Sequence, residues 1–391
     1  MSHLRPLLLL CLLLGSARAQ TLNEADFDGN GTLDERDFQA LTAAFGTDNL
    51  RFDLVPNGKV DFQDFLFFVQ AYSQRSLSYA VEQVFAQQGA AQIKFFKVPA
   101  LGGRPIDLVV DAQSRVWFTD SGSNQLGRID PRSNTVQEYP LNTPGGQPHS
   151  LTLDSQGRIW FTEMGGNRIG RLDPFSEETR LFAIPTPGSR PKGLAFDGMG
   201  NLWFGESSGS RIGRLNPATE GIDEFSLNSP GGSLCGVLAD GSGHIWFSNL
   251  RSNRLGMLTV ETEAVSFFQL SENAMDIRKI SMDGSGRIWF TDAERGQLGQ
   301  FNTETKRTVF YALPKDLSRP NALHCDRSGR IWITGQNTHY LAQFDPDTRR
   351  LILFDLPVSA FSIENIDVDL TGGIWVTDPE GGRVGHITTG S

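Results

Sequence analysis

Cysteine is nearly absent: 3 residues in 391, one of them, Cys11, inside an N-terminal apolar run. Cys235 and Cys325 fall at different positions of the repeat described below, two repeats apart, so no disulfide is expected between them. A zinc-type CxxC, an HExxH, a Ser-His-Asp order and a phosphate-cradling glycine loop are also missing. Basic residues are outnumbered, 35 Lys and Arg against 45 Asp and Glu, for a formal charge of −10. That balance excludes nucleic acid as a partner, because phosphate binding needs clustered Lys and Arg. Charged residues reach only 20% and apolar ones 39%, the composition of a globular chain and not of a disordered one. Long apolar runs are lacking too. The longest, Leu7 to Leu14, falls well short of the about 18 residues a membrane span needs.

With Arg5 ahead of that run and Ala17-Arg18-Ala19 behind it, residues 1–19 read as a secretory signal cleaved before Gln20. The mature chain is then expected outside the cytoplasm, extracellular or periplasmic. Loss of two arginines takes its formal charge from −10 to −12.

Periodicity is what the chain has in abundance. Its seven tryptophans, Trp117, Trp160, Trp203, Trp246, Trp289, Trp332 and Trp375, are each 43 residues apart, and six residues ahead of every one stands an aspartate, from Asp111 to Asp369. A period of about 40–50 residues is what a propeller blade of four short strands needs. Nine residues before each tryptophan is an aliphatic residue, Leu108, Leu151, Leu194, Val237, Ile280, Leu323 or Ile366, as an inner strand with one buried face requires. An Asp-x-x-Gly turn follows in six repeats, with Ser114 in place of glycine in the first, and the aspartate can cap it by accepting backbone N–H bonds.

Twenty-one residues before each tryptophan is an aromatic, and the first of these, Phe96, precedes the first repeat. The last repeat has no fourth strand of its own. The fold class expected is therefore mainly β: a seven-bladed propeller over residues 92–391, closed by an N-terminal strand around Ile93 to Val98 and preceded by a small α-helical domain.

That small domain, residues 20–75, opens with DFDGNGTLDERD. Asp26, Asp28, Asn30, Asp34 and Asp37 fall at loop positions one, three, five, nine and twelve, with Gly31 for the sharp turn and the Thr32 carbonyl at position seven. Calcium wants six to eight hard oxygens, and this spacing supplies them. A second loop starts at Asp53, with Asn57, the Lys59 carbonyl, Asp61 and Asp64 in matching places. Val55 replaces a carboxylate there, so this site should bind calcium more weakly or serve only as structural partner of the first.

A helix is expected after each loop, with Phe38, Leu41 and Phe45 on one face of the first and Phe62, Phe65, Leu66 and Val69 on one face of the second. The core they make is too small to be stable without the metal. Between the domains, Leu77, Ala80, Val81, Val84 and Phe85 predict a short helix ending at Gly89 within a linker of residues 76–91.

In an antiparallel hairpin the start of the first strand and the end of the second share one face, which defines two rings. Eleven residues before each tryptophan come Ile106, His149, Lys192, Cys235, Arg278, Asn321 and Glu364; three after it come Asp120, Glu163, Glu206, Asn249, Asp292, Gly335 and Asp378. The first ring differs in every blade, as a binding mouth would. A solvated rim, and acids that only tie down local turns, are the alternatives.

The repeat, with elements such as Trp160-Phe-Thr-Glu163 and Ile169-Gly-Arg-Leu-Asp173, resembles the streptogramin B lyase (virginiamycin B lyase) family of seven-bladed propellers over about residues 92–391. That resemblance implies a first-ring histidine as base and a second-ring glutamate of the same blade holding Mg²⁺, in an elimination that opens a cyclic depsipeptide at its ester. His149 with Glu163 is the one matching blade here. The family's pair stands in the last blade, preceded by another first-ring histidine, where this chain has Glu364 and Asp378, preceded by Asn321 and Gly335. On the same pattern Asp120 and Glu206 would join Glu163 around a divalent cation, Lys192 and Arg278 would take an anionic group, and Asn321, Glu364 and Asp378 would complete a ligand site. His324 is expected to pack or to face the far side of the channel.

The paired calcium loops resemble a dockerin or related short EF-hand module, which implies a cohesin-like partner on a larger or cell-surface assembly. Three readings stay open. They are a secreted propeller that binds a small molecule or glycan, a metal-dependent lyase, and a hydrolase of the gluconolactonase type.

Overall fold

The computed structural model describes residues 27, 35–49, 51–68, 79–82, 85–227, 233–250, 253–271, 277, 279–317, 319–336, 338–357 and 362–390. The chain divides into two compact units, 1–80 and 81–391. In the first, helix Glu35–Ala44 and a helix over residues 62–68 carry a core of Phe27, Leu41, Ala44, Leu54, Val60 and Phe68. Phe45 and Phe62, expected in that core, are instead 53% and 52% exposed. The first helix ends before Phe45, so that side chain leaves the helical face. Val69 lies outside the described residues.

In the second unit each of the first six repeats is a four-stranded antiparallel meander, and the seventh supplies three strands. The blades begin with inner strands Pro105–Val110, Pro148–Leu153, Pro191–Phe196, Ser233–Ala239, Ile280–Met282, Pro320–Cys325 and Ile366–Val368, here blades 1 to 7. Every tryptophan sits on the second strand and is fully buried. Its indole N–H donates to the aspartate six residues earlier in all seven blades, at 2.7–3.1 Å. That aspartate also accepts the backbone N–H groups two and four residues on; Asp154, for example, takes Gln156 N and Arg158 N at 2.9 and 3.0 Å. Burial alone would raise the Asp154 pKa, but these bonds outweigh it and hold the carboxyl below its ordinary value.

The fourth-strand aromatic packs on the tryptophan of its own blade, with ring centroids 5.2–5.8 Å apart in all seven. In blade 7 that aromatic is Phe96, which packs on Trp375. The expected closure therefore holds. Ala91 to Lys97 pair antiparallel with Arg383–Thr389 as the outer strand of the last blade.

The closing strand is longer than expected, Phe85–Lys97, and its first half, Phe85 to Ala90, pairs in parallel with Arg350 to Asp355 of blade 6. The helix predicted within residues 76–91 is thus corrected: Tyr79–Glu82 and Phe85–Lys97 are strands. A nonlocal partner overrode the local helical pattern. Gly89 allows the approach, because a Cβ there would lie 2.6 Å from the Phe354 ring.

Candidate functional site

The inner strands reach the channel through a local irregularity. In blades 1, 2, 3, 4 and 6 the pairing of first and second strands shifts register near the first-ring residue, between Pro148 and Leu151 in blade 2. A bulge re-aims side chains at such a point. In every blade but blade 3, which has Gly205 there, a hydroxyl stands two residues after the tryptophan and accepts a backbone N–H of the first strand where that bond is seen: Ser150 N donates to Thr162 Oγ1 at 3.0 Å, and Asn365 N to Thr377 Oγ1 at 3.0 Å. The same hydroxyl reaches the next blade, as Thr119 Oγ1 donates to the His149 carbonyl at 2.9 Å.

The first ring converges on a cavity of about 380 Å³ lined by His149, Lys192, Cys235, Asn321 and Glu364. Arg278 lies outside the described residues. Asp107 and Lys279, one position after the first ring in their repeats, line it as well. They come from blades 1 and 5, on opposite sides of the channel, and pair across it with Lys279 Nζ 3.3 Å from Asp107 Oδ1. Asp107 Oδ2 accepts Leu151 N at 3.1 Å. Sequence reasoning missed both residues. The signal was there, since four of the other five blades carry Ser150, Gly193, Gly236 or Ala322 at this position, and a charge among small residues stands out.

Burial, and then the charges of Lys192, Lys279 and Arg190, push the His149 pKa down to about 3. The imidazole is therefore neutral throughout the physiological range. The Lys192 ammonium makes no ion pair or hydrogen bond with another described residue.

The second ring does not reach this cavity. Asp120, Glu163, Glu206, Asp292 and Asp378 are all fully buried, one strand farther from the axis. Asp120 accepts the N–H groups of Arg104, Gly122 and Ser123 at 2.6–3.2 Å. Glu163 accepts from Thr143 Oγ1 and lies 3.9 Å from Arg168, and Asp378 accepts Gly381 N at 3.1 Å and Arg383 Nε at 2.7 Å. Asp120 and Asp378 tie down turns, and none of Asp120, Glu163 and Glu206 lines the cavity that holds His149, so their expected grouping beside it is corrected. Burial, opposed by Thr143 and Arg168, raises the Glu163 pKa. Glu206 has two buried oxygens without a hydrogen-bond donor, and burial and then neighbouring Glu224 push its pKa to about 7. In the cavity itself Lys279 occupies Asp107, and Glu364 is the one other carboxylate among its described lining residues, opposite the Lys192 ammonium; that donor set is too sparse for a divalent cation.

At the far end of the channel, His324 Nδ1 lies 3.4 Å from Asp367 Oδ1, and both line a second cavity of about 590 Å³ with Arg327 and Arg330. Burial raises the Asp367 pKa against the pull of His324. His324 thus faces the far side of the channel.

In the N-terminal unit Asp26, Asp28, Asn30, Thr32 and Asp34 lie outside the described residues. Asp37 is buried and accepts Phe27 N at 2.7 Å. In the second loop Asp53 accepts Gly58 N at 2.8 Å, Asn57 Oδ1 accepts Lys59 N at 3.0 Å, and Asp64 accepts Val55 N and Asp61 N at 2.8 and 2.7 Å. Asp53 Oδ1, Asn57 Oδ1 and the Asp64 oxygens, with the Lys59 carbonyl, are hard donors of the kind calcium takes.

Seven four-stranded blades around a channel with a polar cavity at one end define a seven-bladed β-propeller. More narrowly, the chain belongs to the Virginiamycin B lyase family, whose profile matches residues 80–201 and 176–391. It is similar in structure to virginiamycin B lyase from Staphylococcus aureus, with a TM-score of 0.70 and 23% identity over 76% of this chain and 99% of that one. A streptogramin B lyase structure gives 0.71 and 24% over 77% and 98%. The extracellular domain of a putative hybrid two-component system from B. thetaiotaomicron gives 0.56 and 17% over 72% and 40%. At these identities the likeness is one of fold. No curated protein sequence matches the chain.

Proposed function

We propose that this is a secreted binding protein whose propeller takes a small molecule at its mouth and whose N-terminal unit binds calcium and docks to a cohesin-like partner or cell-surface assembly. One observation carries the mouth reading: side chains of different chemistry, His149, Lys192, Asn321 and Glu364, converge on a single cavity, while the neighbouring acids are buried inside the blades. A base must hold a proton well enough to accept it near the working pH. His149, with a pKa of about 3, is poorly matched to that role and better matched to hydrogen bonding. Its neutrality and the family membership are what favour the second reading, a lyase acting on a cyclic ester.

Calorimetric titration of Mg²⁺ and Mn²⁺ into residues 79–391 separates the two. The binding reading expects no saturable heat; stoichiometric binding lost in Glu163→Gln would replace it with the lyase reading. A ligand that binds wild type should lose affinity in Cys235→Trp, which fills the cavity. For the N-terminal unit, Ca²⁺ should raise the thermal stability of the full-length chain, and Asp37→Ala together with Asp64→Ala should abolish that gain.

A further inference from the structure

The mouth is electrically two-sided. Going round the ring, His149, Lys192 and Lys279 belong to blades 2, 3 and 5, whereas Asn321, Glu364 and Asp107 belong to blades 6, 7 and 1. Lys279 and Asp107 satisfy each other across the channel. Among the described residues that leaves the Lys192 ammonium without an ion pair on one side and the Glu364 carboxylate without one on the other, where its nearest donor is Asn321 Nδ2 at 3.5 Å. Asn321 Nδ2 donates one hydrogen to the Ile363 carbonyl at 2.7 Å, and at 3.5 Å its second gives Glu364 only a long, weak bond.

His149 adds a donor to the positive side. Ser150 Oγ accepts Gly193 N at 3.0 Å, and its own hydrogen is then available to His149 Nδ1 at 3.1 Å. A neutral imidazole with Nδ1 accepting carries its proton on Nε2, the nitrogen left for a ligand. A half-buried ammonium and an N–H face a half-buried carboxylate across one cavity.

Building on the mouth as a binding site, we propose that its ligand is a zwitterion, a free amino acid or a short peptide with unblocked termini, whose carboxylate meets Lys192 and His149 Nε2–H and whose ammonium meets Glu364. Charge matches charge on both sides. A simple anion would leave Glu364 unpaired, and a neutral molecule would leave both groups partly desolvated without compensation.

Calorimetric titration of the full-length chain with alanine, alanyl-alanine, N-acetyl-alanyl-alanine and alanyl-alanine amide tests this. Alanine or alanyl-alanine should bind, and each blocked dipeptide should bind weaker than the free one by about tenfold or more. Binding of alanine alone assigns the site to free amino acids, and of alanyl-alanine alone to peptide termini. In Lys192→Met the amide and the free acid should bind alike, in Glu364→Gln the acetylated and free forms should bind alike, and Lys192→Arg should keep the wild-type order. Blocked forms that bind wild type as tightly as free ones overturn the inference; if Cys235→Trp removes that binding, the mouth remains a binding site. No binding by any of the four at millimolar concentration overturns the inference, and the mouth reading then stands or falls with other ligands sensitive to Cys235→Trp.

Discussion

Glu206 shows most directly how one residue's surroundings set its chemistry. The equivalent acid in blade 1, Asp120, receives Gln125 Nε2 at 3.3 Å, and the same amide bonds Glu138 at 2.7 Å, so two carboxylates share one donor group. Blade 3 has Arg211 in place of that glutamine, no such bridge, and Glu224 already holding Thr186 N and Oγ1, both at 2.9 Å. The folded protein therefore favours the neutral acid at Glu206. Below the ordinary value of 4.5 both folded and unfolded chains are protonated and nothing is lost; as pH rises from there through about 7, the unfolded chain ionises first and stability falls. Urea denaturation should find Glu206→Gln close to wild type near pH 4 and more stable near pH 8. Equal stabilities at both would mean that Glu206 is ionised in the fold at no cost. None of this could be read from the ring arithmetic, which treats all second-ring acids alike. Their burial depends on strand order outward from the axis, and their partners on loop residues such as Thr143, which recurs only as Thr186 and there bonds a different acid, Glu224.

The recurring hairpin of Asp, Trp and Phe was legible because it is repeated. Asp154 serves Trp160 Nε1 at 2.8 Å, Arg158 Nε at 2.6 Å and two backbone amides, so Asp154→Ala should cost about 2–3 kcal/mol in denaturant unfolding. The residue facing the phenylalanine explains a second regularity. A Cβ on Gly170 would lie 2.1 Å from Phe161 Cζ, and where blade 6 carries Ala342 at this position the facing residue is Ile333. Gly170→Ala should destabilise by about 1–3 kcal/mol, and adding Phe161→Ile should return part of the loss; purely additive effects would contradict the pairing. The segment over residues 76–91 was not legible in the same way. Its apolar spacing fits a helix, and the strand it forms depends on Arg350 to Asp355, some 265 residues away in sequence.

For the whole molecule the decisive element is Phe85–Lys97, which spans two blades. A chain starting at residue 91 keeps the antiparallel half and should fold with a lowered melting temperature. One starting at residue 98 opens the ring, leaves two unpaired edges, and should dimerise or aggregate in size-exclusion chromatography. Monomeric, cooperative folding of the shorter chain would show that closure is dispensable.

The same strand also dictates an order of events during synthesis. It leaves the ribosome early, whereas its last partner, Arg383–Thr389, is made at the end. At about 5–20 residues per second the strand waits roughly 15–60 s for that partner. Through that interval the growing array is a stack of blades with both ends open, and the sticky edge it protects against in the finished protein is then its own.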